Sequence, residues 1–241
     1  MEWGNSHTKN TLYLKVVVGI GGSIFCGEDC IDAEYIRSFS VAMLEASKKH
    51  KMFIVAGGGK TARTYIEAGR ELGYSEDVLD LLGVYATRLN AMIISASLGE
   101  KGLGFIPEEV EDVDTEEERI VVMGGTVPGH STDAVAAMLA AHVDAELLII
   151  ATDVDGVYER DPKKDPTAKR FEKLSTEKLI EIVKGEQYRA GSSGVVDLKA
   201  AKIIHEKGLK AVVVDGRDVR NITDAIDGKV SGTVIEKAHR S

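Results

Sequence analysis

Residues 52–63 read MFIVAGGGKTAR: five apolar residues, three consecutive glycines, then a basic and small-residue run. Met52 to Ala56 predicts a buried strand, because a short apolar stretch without polar alternation suits a sheet covered on both faces. Thr61 to Leu72 predicts a helix, ended by Gly73. The same order of strand, glycine turn and helix recurs elsewhere. Leu12 to Ile20 predicts a strand that runs into Gly19-Ile20-Gly21-Gly22-Ser23, and Ile120 to Met123 runs into Gly124-Gly125-Thr126.

Outward from these units, strands and helices alternate. Helices are expected over Asp32 to His50, where Ile36, Phe39, Met43 and Leu44 recur at helical spacing, and over Val78 to Ser97. Glu108 to Glu118 reads as an acidic, solvated segment. Asp133 to His142 reads as an alanine-rich helix with Ser131 and Thr132 as candidate caps. Leu147 to Ala151 is a strand, and Asp153 to Thr167 a loop carrying Pro162 and Pro166. Two further helices are predicted, Ser175 to Lys184 stopped by Gly185 and Val196 to Lys207 stopped by Gly208; Ala211 to Val214 and Thr233 to Ile235 are late strands. Strands separated by helices imply an α/β fold: a three-layer αβα sandwich around a mostly parallel, open, twisted sheet. Ligands in such folds sit beyond the carboxyl ends of the strands, where the three glycine turns fall.

The 241 residues suffice for one such domain, residues 11–241, with residues 1–10 a polar, flexible extension. With 44% hydrophobic and 29% charged residues, the chain fits neither a disordered nor a membrane protein, and a cytoplasmic location is the expectation. The formal net charge of −9 and the lack of a basic cluster argue against a nucleic-acid groove. An acidic protein binds phosphates through local devices: backbone N–H groups, a few placed cations and a divalent ion. Cys26 and Cys30 are read as reduced thiols, with a redox pair as the alternative, and the six histidines are scattered.

Glycine lets the backbone approach a ligand, and a following helix adds N–H groups and dipole. One such turn is also what any tight strand-to-helix connection uses. Three at one sheet edge point to a phosphate-lined pocket. The turn at Gly57 lacks the four-residue gap of a Walker A loop, and the first turn lacks the dinucleotide fingerprint.

At these residues the chain resembles the amino-acid kinase superfamily, and within it the archaeal-type UMP kinases. The matching strings are residues 20–23 (IGGS), 57–63 (GGGKTAR), 80–83 (DLLG), 124–134 (GGTVPGHSTDA), 152–162 (TDVDGVYERDP) and 190–193 (AGSS). The resemblance implies direct transfer of the γ-phosphoryl of ATP to UMP, giving UDP, with Mg²⁺ carried on the ATP phosphates and no direct protein ligands to it. It implies an acceptor-binding part over residues 11–143, an ATP-binding part over 144–241, and a homohexamer built as a trimer of dimers. Gly58, Asp80 and the loop Thr126, Val127, Pro128, Gly129, His130, Ser131, Thr132 would hold UMP. Gly22, Ser23, Gly59, Arg63, Thr152, Asp153, Tyr158 and Asp161 would meet ATP or the transferring phosphate.

The chemistry suits these residue types. Phosphoryl transfer onto an ionised phosphate needs alignment and charge stabilisation more than a base. Two unit charges at ~4 Å repel by about 4 kcal/mol at an effective dielectric near 20. Arg63 offers a bidentate fork, Lys60 a point charge, and Asp133 the carboxylate that the family uses to orient groups around the phosphoryl, so these three are the catalytic candidates. Asp80 can accept two ribose hydroxyls, and Tyr158 with Asp161 can cover adenosine. The chain departs from the family at two cationic positions, where Gly19 and Asp153 stand for common lysines; Lys60, Arg63, Lys163 and Lys164 are the remaining candidates. Two other functions stay open: an enzyme of the same superfamily acting on isopentenyl phosphate, carbamate or an amino-acid carboxylate, and a catalytically silent nucleotide sensor.

Overall fold

In the computed structural model, residues 13–27, 31–102, 104–160, 162, 165–187 and 195–238 are described. The elements are β1 (Lys15–Ile20), α1 (Gly22–Phe25), α2 (Ala33–Ala46), β2 (Lys51–Ala56), α3 (Gly59–Glu71), α4 (Glu76–Ser97), β3 (Val121–Met123), α5 (Thr132–His142), β4 (Leu147–Thr152), β5 (Lys173–Ser175), α6 (Thr176–Gln187), α7 (Leu198–Lys207), β6 (Ala211–Asp215), α8 (Val219–Ile226) and β7 (Gly232–Glu236). Seven strands form one sheet in the order β3-β2-β1-β4-β6-β7-β5. All neighbours run parallel except β6 and β7, which are antiparallel.

The alternation of side chains along each strand divides the core into two layers. Val17, Phe53, Val55, Val121, Met123 and Leu148 pack under α5, α6 and α7. Val16, Val18, Met52, Ile54, Val122 and Ile149 pack under α2, α4 and α8. The crossover from β1 to β2 therefore runs over one face through α2, and that from β3 to β4 over the other through α5. This reversal creates the crevice beside the end of β1.

Several boundaries differ from the sequence expectation. Helix α6 does not stop at Gly185 but continues to Gln187. Gly185 keeps an ordinary negative φ, whereas Gly208 takes φ +65° and does end α7. A lone glycine costs a helix about 1 kcal/mol relative to alanine, which tertiary packing can absorb. Helix α2 ends at Ala46, four residues before His50. Helix α7 begins at Leu198 rather than Val196, because Asp197 caps it by accepting the Lys199 and Ala200 N–H groups at 2.6 and 3.0 Å. Strand β5 and helix α8 were not expected: β5 has a single buried apolar residue, Leu174, and is defined by pairing with β7. The acidic stretch 108–118 is largely exposed, but Val110 and Val113 anchor it under α5. Helix α4 is long and apolar enough to cross a bilayer by length and composition; here it packs against α3, β2 and β3. The extension 1–10, Cys30, Asp161, Lys163, Lys164 and residues 190–193 lie outside the described residues.

Candidate active site

The ends of β1, β2 and β4 open into a cavity of about 440 Å³. The three strand ends are laced together: Gly21 N–H donates to the Ala151 carbonyl at 2.8 Å, and Gly57 N–H to the Ile20 carbonyl at 2.9 Å. One wall is backbone, from Gly21, Gly22 and Ser23 on the first turn and Gly57, Gly58 and Gly59 on the second. The two turns touch. A Cβ on Gly22 would overlap the Gly59 amide, and one on Gly59, whose φ is +55°, would overlap the Gly22 carbonyl. Only glycine allows this approach. Gly59 opens α3, so its first-turn N–H groups have no acceptors within the helix.

Arg63, one turn into α3, lines the cavity beside these glycines. Across from it stand Ser131, Thr132 and Asp133 at the start of α5, and Thr152 and Asp153 at the end of β4. Ser131 is the N-cap of α5, accepting the Ala134 N–H at 3.0 Å, and its hydroxyl donates to Asp197. Asp133 is half-buried in the wall. Burial pushes its carboxyl up to about 7, the neighbouring Asp197 charge adds to this, and the Asp197 backbone N–H partly offsets it. The opposite wall is made of apolar side chains: Val157 from the loop after β4, Leu179, Ile182 and Val183 from α6, and Val195 and Val196 before α7. Tyr158, Arg160 and Pro162 form the rim. The Tyr158 hydroxyl donates to Asp155 at 2.8 Å, and Arg170 pairs with the same carboxylate at 2.7 Å, so Asp155 fixes the ring from behind.

The cavity thus gathers Gly22, Ser23, Gly58, Gly59, Arg63, Ser131, Thr132, Asp133, Thr152, Asp153 and Tyr158. Asp80 and the loop 126–130 form a separate cluster next to it: the Gly129 N–H donates to Asp80 Oδ2 at 3.1 Å, and Thr126 Oγ1 lies 3.3 Å from His130 Nδ1. Burial, reinforced by Lys199, holds His130 below the usual histidine value. Lys60 is exposed on α3 and is not part of the cavity wall. Gly19 lies inside β1, where a Cβ would press on Ala136 at 3.1 Å, so a side chain there would meet α5.

Three sets of residues escaped the sequence reading. The apolar wall gave the same signal as ordinary core. Arg160 is a cavity-lining cation, held by Glu159 at 3.2 Å and Asp165 at 2.9 Å. Helix α4 grips both later glycine turns from behind. Arg88 donates to the Gly125 and Thr126 carbonyls at 3.1 and 3.0 Å and pairs with Glu108 at 2.8 Å. Thr87 Oγ1 accepts the Gly125 N–H at 2.6 Å. Asn90 Nδ2 donates to the Gly57 and Gly58 carbonyls at 2.8 and 3.1 Å, while its Oδ1 is buried without a partner. An unmet buried acceptor costs about 1–3 kcal/mol.

The sequence profile of the amino acid kinase family matches residues 15–215. A uridylate kinase of Thermococcus kodakarensis is 42% identical over 225 residues, spanning 92% of this chain and all of the relative. A uridylate kinase of Methanocaldococcus jannaschii is 44% identical over 226 residues, with the same coverage. The crystal structure of the uridylate kinase from Archaeoglobus fulgidus superposes with a TM-score of 0.83 at 42% identity, over 92% of this chain and 100% of that one.

Proposed function

The chain belongs to the amino acid kinase family, and from that premise we propose that it is a uridylate kinase, moving the γ-phosphoryl of ATP onto UMP to give UDP for pyrimidine nucleotide synthesis. The cavity floor carries this reading: two glycine turns in backbone contact leave N–H groups, rather than side chains, to meet phosphate. ATP fits with adenine on the wall of Val157, Ile182 and Val183, Tyr158 beside it, and the triphosphate running toward Gly22, Ser23 and Gly59. Val195 and Val196 extend the apolar surface that a base would bury. UMP fits across Gly58, Asp80 and the loop Thr126 to Thr132, where Asp80 keeps capacity for ribose hydroxyls beyond its bond to Gly129.

Arg63 is the cation between the two phosphates, placed to hold the acceptor and to stabilise charge as the phosphoryl passes. Asp133, half-buried in the cavity wall, orients the groups around it. Lys60, exposed at the start of α3, contributes long-range attraction for the incoming anions. We take Mg²⁺ to enter with the ATP phosphates; Asp133 and Asp153, which line the cavity, are the acidic groups that would lie near it. The ion supplies charge neutralisation of the polyphosphate. We further take the assembly to be a homohexamer, supported by the apolar strip of Tyr85, Leu89, Met92 and Ile93 that α4 leaves exposed.

The test is release of ADP from ATP with UMP, CMP, AMP, GMP, isopentenyl phosphate and amino-acid carboxylates offered in turn. UMP is expected to exceed each alternative by about 100-fold or more in kcat/KM, since polar pairing at a base edge discriminates strongly. Brisk turnover of another acceptor with UMP untouched overturns the assignment, and tight UMP binding without turnover favours a sensor.

A further inference from the structure

We propose that Asn90, on α4 and outside the cavity, is the positioning residue that aims the second glycine turn at the phosphates; this rests on the uridylate kinase reading. In a trans peptide the carbonyl of one residue and the N–H of the next point in opposite directions. Asn90 Nδ2 takes the Gly57 carbonyl at 2.8 Å and the Gly58 carbonyl at 3.1 Å. The N–H groups of Gly58 and Gly59 therefore face away from Asn90. Gly57, Gly58 and Gly59 line the cavity and Asn90 does not, so that opposite side is the ligand side. The Gly58 carbonyl also receives the Ala62 N–H within the start of α3, at 3.1 Å, so the helix shares that task. The Gly57 carbonyl precedes the helix, and Asn90 supplies its side-chain donor.

The environment fixes which way the amide group lies. Asn90 is wholly buried, and turning it over would set Oδ1 against two carbonyl oxygens. The orientation that serves the turn leaves Oδ1 without a partner. A leucine there would have no such unmet acceptor. A buried group kept in an unfavourable bonding state beside a binding turn is accounted for by what it does to that turn. The Cys26 thiol, 3.6 Å from both Asn90 Nδ2 and Thr61 Oγ1, packs beneath the same turn and adds no strong acceptor to compete.

The experiment uses the full chain labelled with ¹⁵N-glycine, after UMP turnover by the unmodified protein has been measured. Addition of UMP with a non-hydrolysable ATP analogue is expected to shift the Gly58 and Gly59 amide resonances, while Gly208 and Gly228, at distant helix ends, stay put. Asn90→Asp, equal in shape but carrying oxygen against the two carbonyls, should remove those shifts and lower kcat on the order of 10- to 100-fold. Asn90→Ser, which keeps one donor, should recover part of both. Unmoved Gly58 and Gly59 resonances in an unmodified protein that turns over UMP overturn the proposal and leave the kinase reading intact. So does an Asn90→Asp protein that keeps the shifts and the rate. Should Asn90→Asp not fold, Asn90→Ser decides: full shifts at Gly58 and Gly59 with an unchanged kcat overturn the proposal, and weakened shifts with a lowered kcat support it. Failure of UMP turnover instead counts against the kinase reading.

Discussion

The two walls of the cavity are built from different materials. The wall proposed for phosphate is main chain, from Gly21 to Ser23 and from Gly57 to Gly59, pressed together until no Cβ fits between. The wall proposed for the base is side chain, from Val157, Leu179, Ile182, Val183, Val195 and Val196. Main chain gives a wall that cannot be trimmed, only obstructed, and whose donors keep their charge distribution at every pH. Side chains give a wall whose fit changes in steps. Damage to the first should abolish transfer, and damage to the second should tune affinity for the donor nucleotide.

The largest effect is expected from Gly59→Ala. The added methyl meets the Gly22 backbone and forces a left-handed residue to carry a side chain. A loss of about 1,000-fold or more in kcat, read by ADP release on protein that still melts cooperatively, is the expected outcome; a variant that stays nearly as active as the unmodified protein would show that the turns do not set the phosphate geometry. Next comes Arg63→Ala, the side chain closest in role to the backbone donors, with an expected loss of roughly 100- to 1,000-fold in kcat. Equal activity after that change would shift the transition-state cation to Arg160 or to another basic residue.

Asp133 sharpens the contrast through pH. Its carboxyl is raised in the folded protein to about 7, above the ordinary aspartate value of 3.8. The folded state therefore holds the proton more tightly than the unfolded chain. The stabilisation is complete below about pH 4 and is lost as pH rises through about 7. Asp133→Asn should flatten this decline and, at pH 8, make the nucleotide-free protein more stable by ~1–2 kcal/mol, with solvent in the cavity screening the larger value that full burial would give. Thermal melts between pH 5 and pH 8 read it, and parallel declines in both proteins would count against an unusual Asp133. The smallest effect is expected from Val183→Ala on the base wall: a KM for ATP raised about 3- to 10-fold with kcat held, because losing buried methyl groups weakens binding without touching the phosphates.

The same contrast explains what could be read in advance. Glycine runs after apolar strands announce a backbone wall, and all three turns lie at the ends of parallel strands as expected. The base wall was not legible, because Leu179 and Val183 at helical spacing look the same whether they face core or ligand. Asn90 and Arg88 read as two polar residues within a long helix; their work depends on the approach of turns 33 and 37 residues away in sequence. Asp197 was hidden inside an expected helix, although an aspartate two residues before a Lys-Ala-Ala run is a capping signal. Strand β5 exists through its partner β7 alone, so no local pattern marks it.

In the proposed mechanism, backbone donors on two touching glycine turns bring two polyanionic nucleotides end to end. A crystal structure of the protein with UMP and a non-hydrolysable ATP analogue tests it most directly. The terminal phosphate of the analogue is expected against the Gly22 and Gly59 amides, with Arg63 hydrogen-bonded to it or to the UMP phosphate at about 3 Å. A triphosphate lying elsewhere, or two phosphates held too far apart for in-line transfer in that cavity, would contradict it.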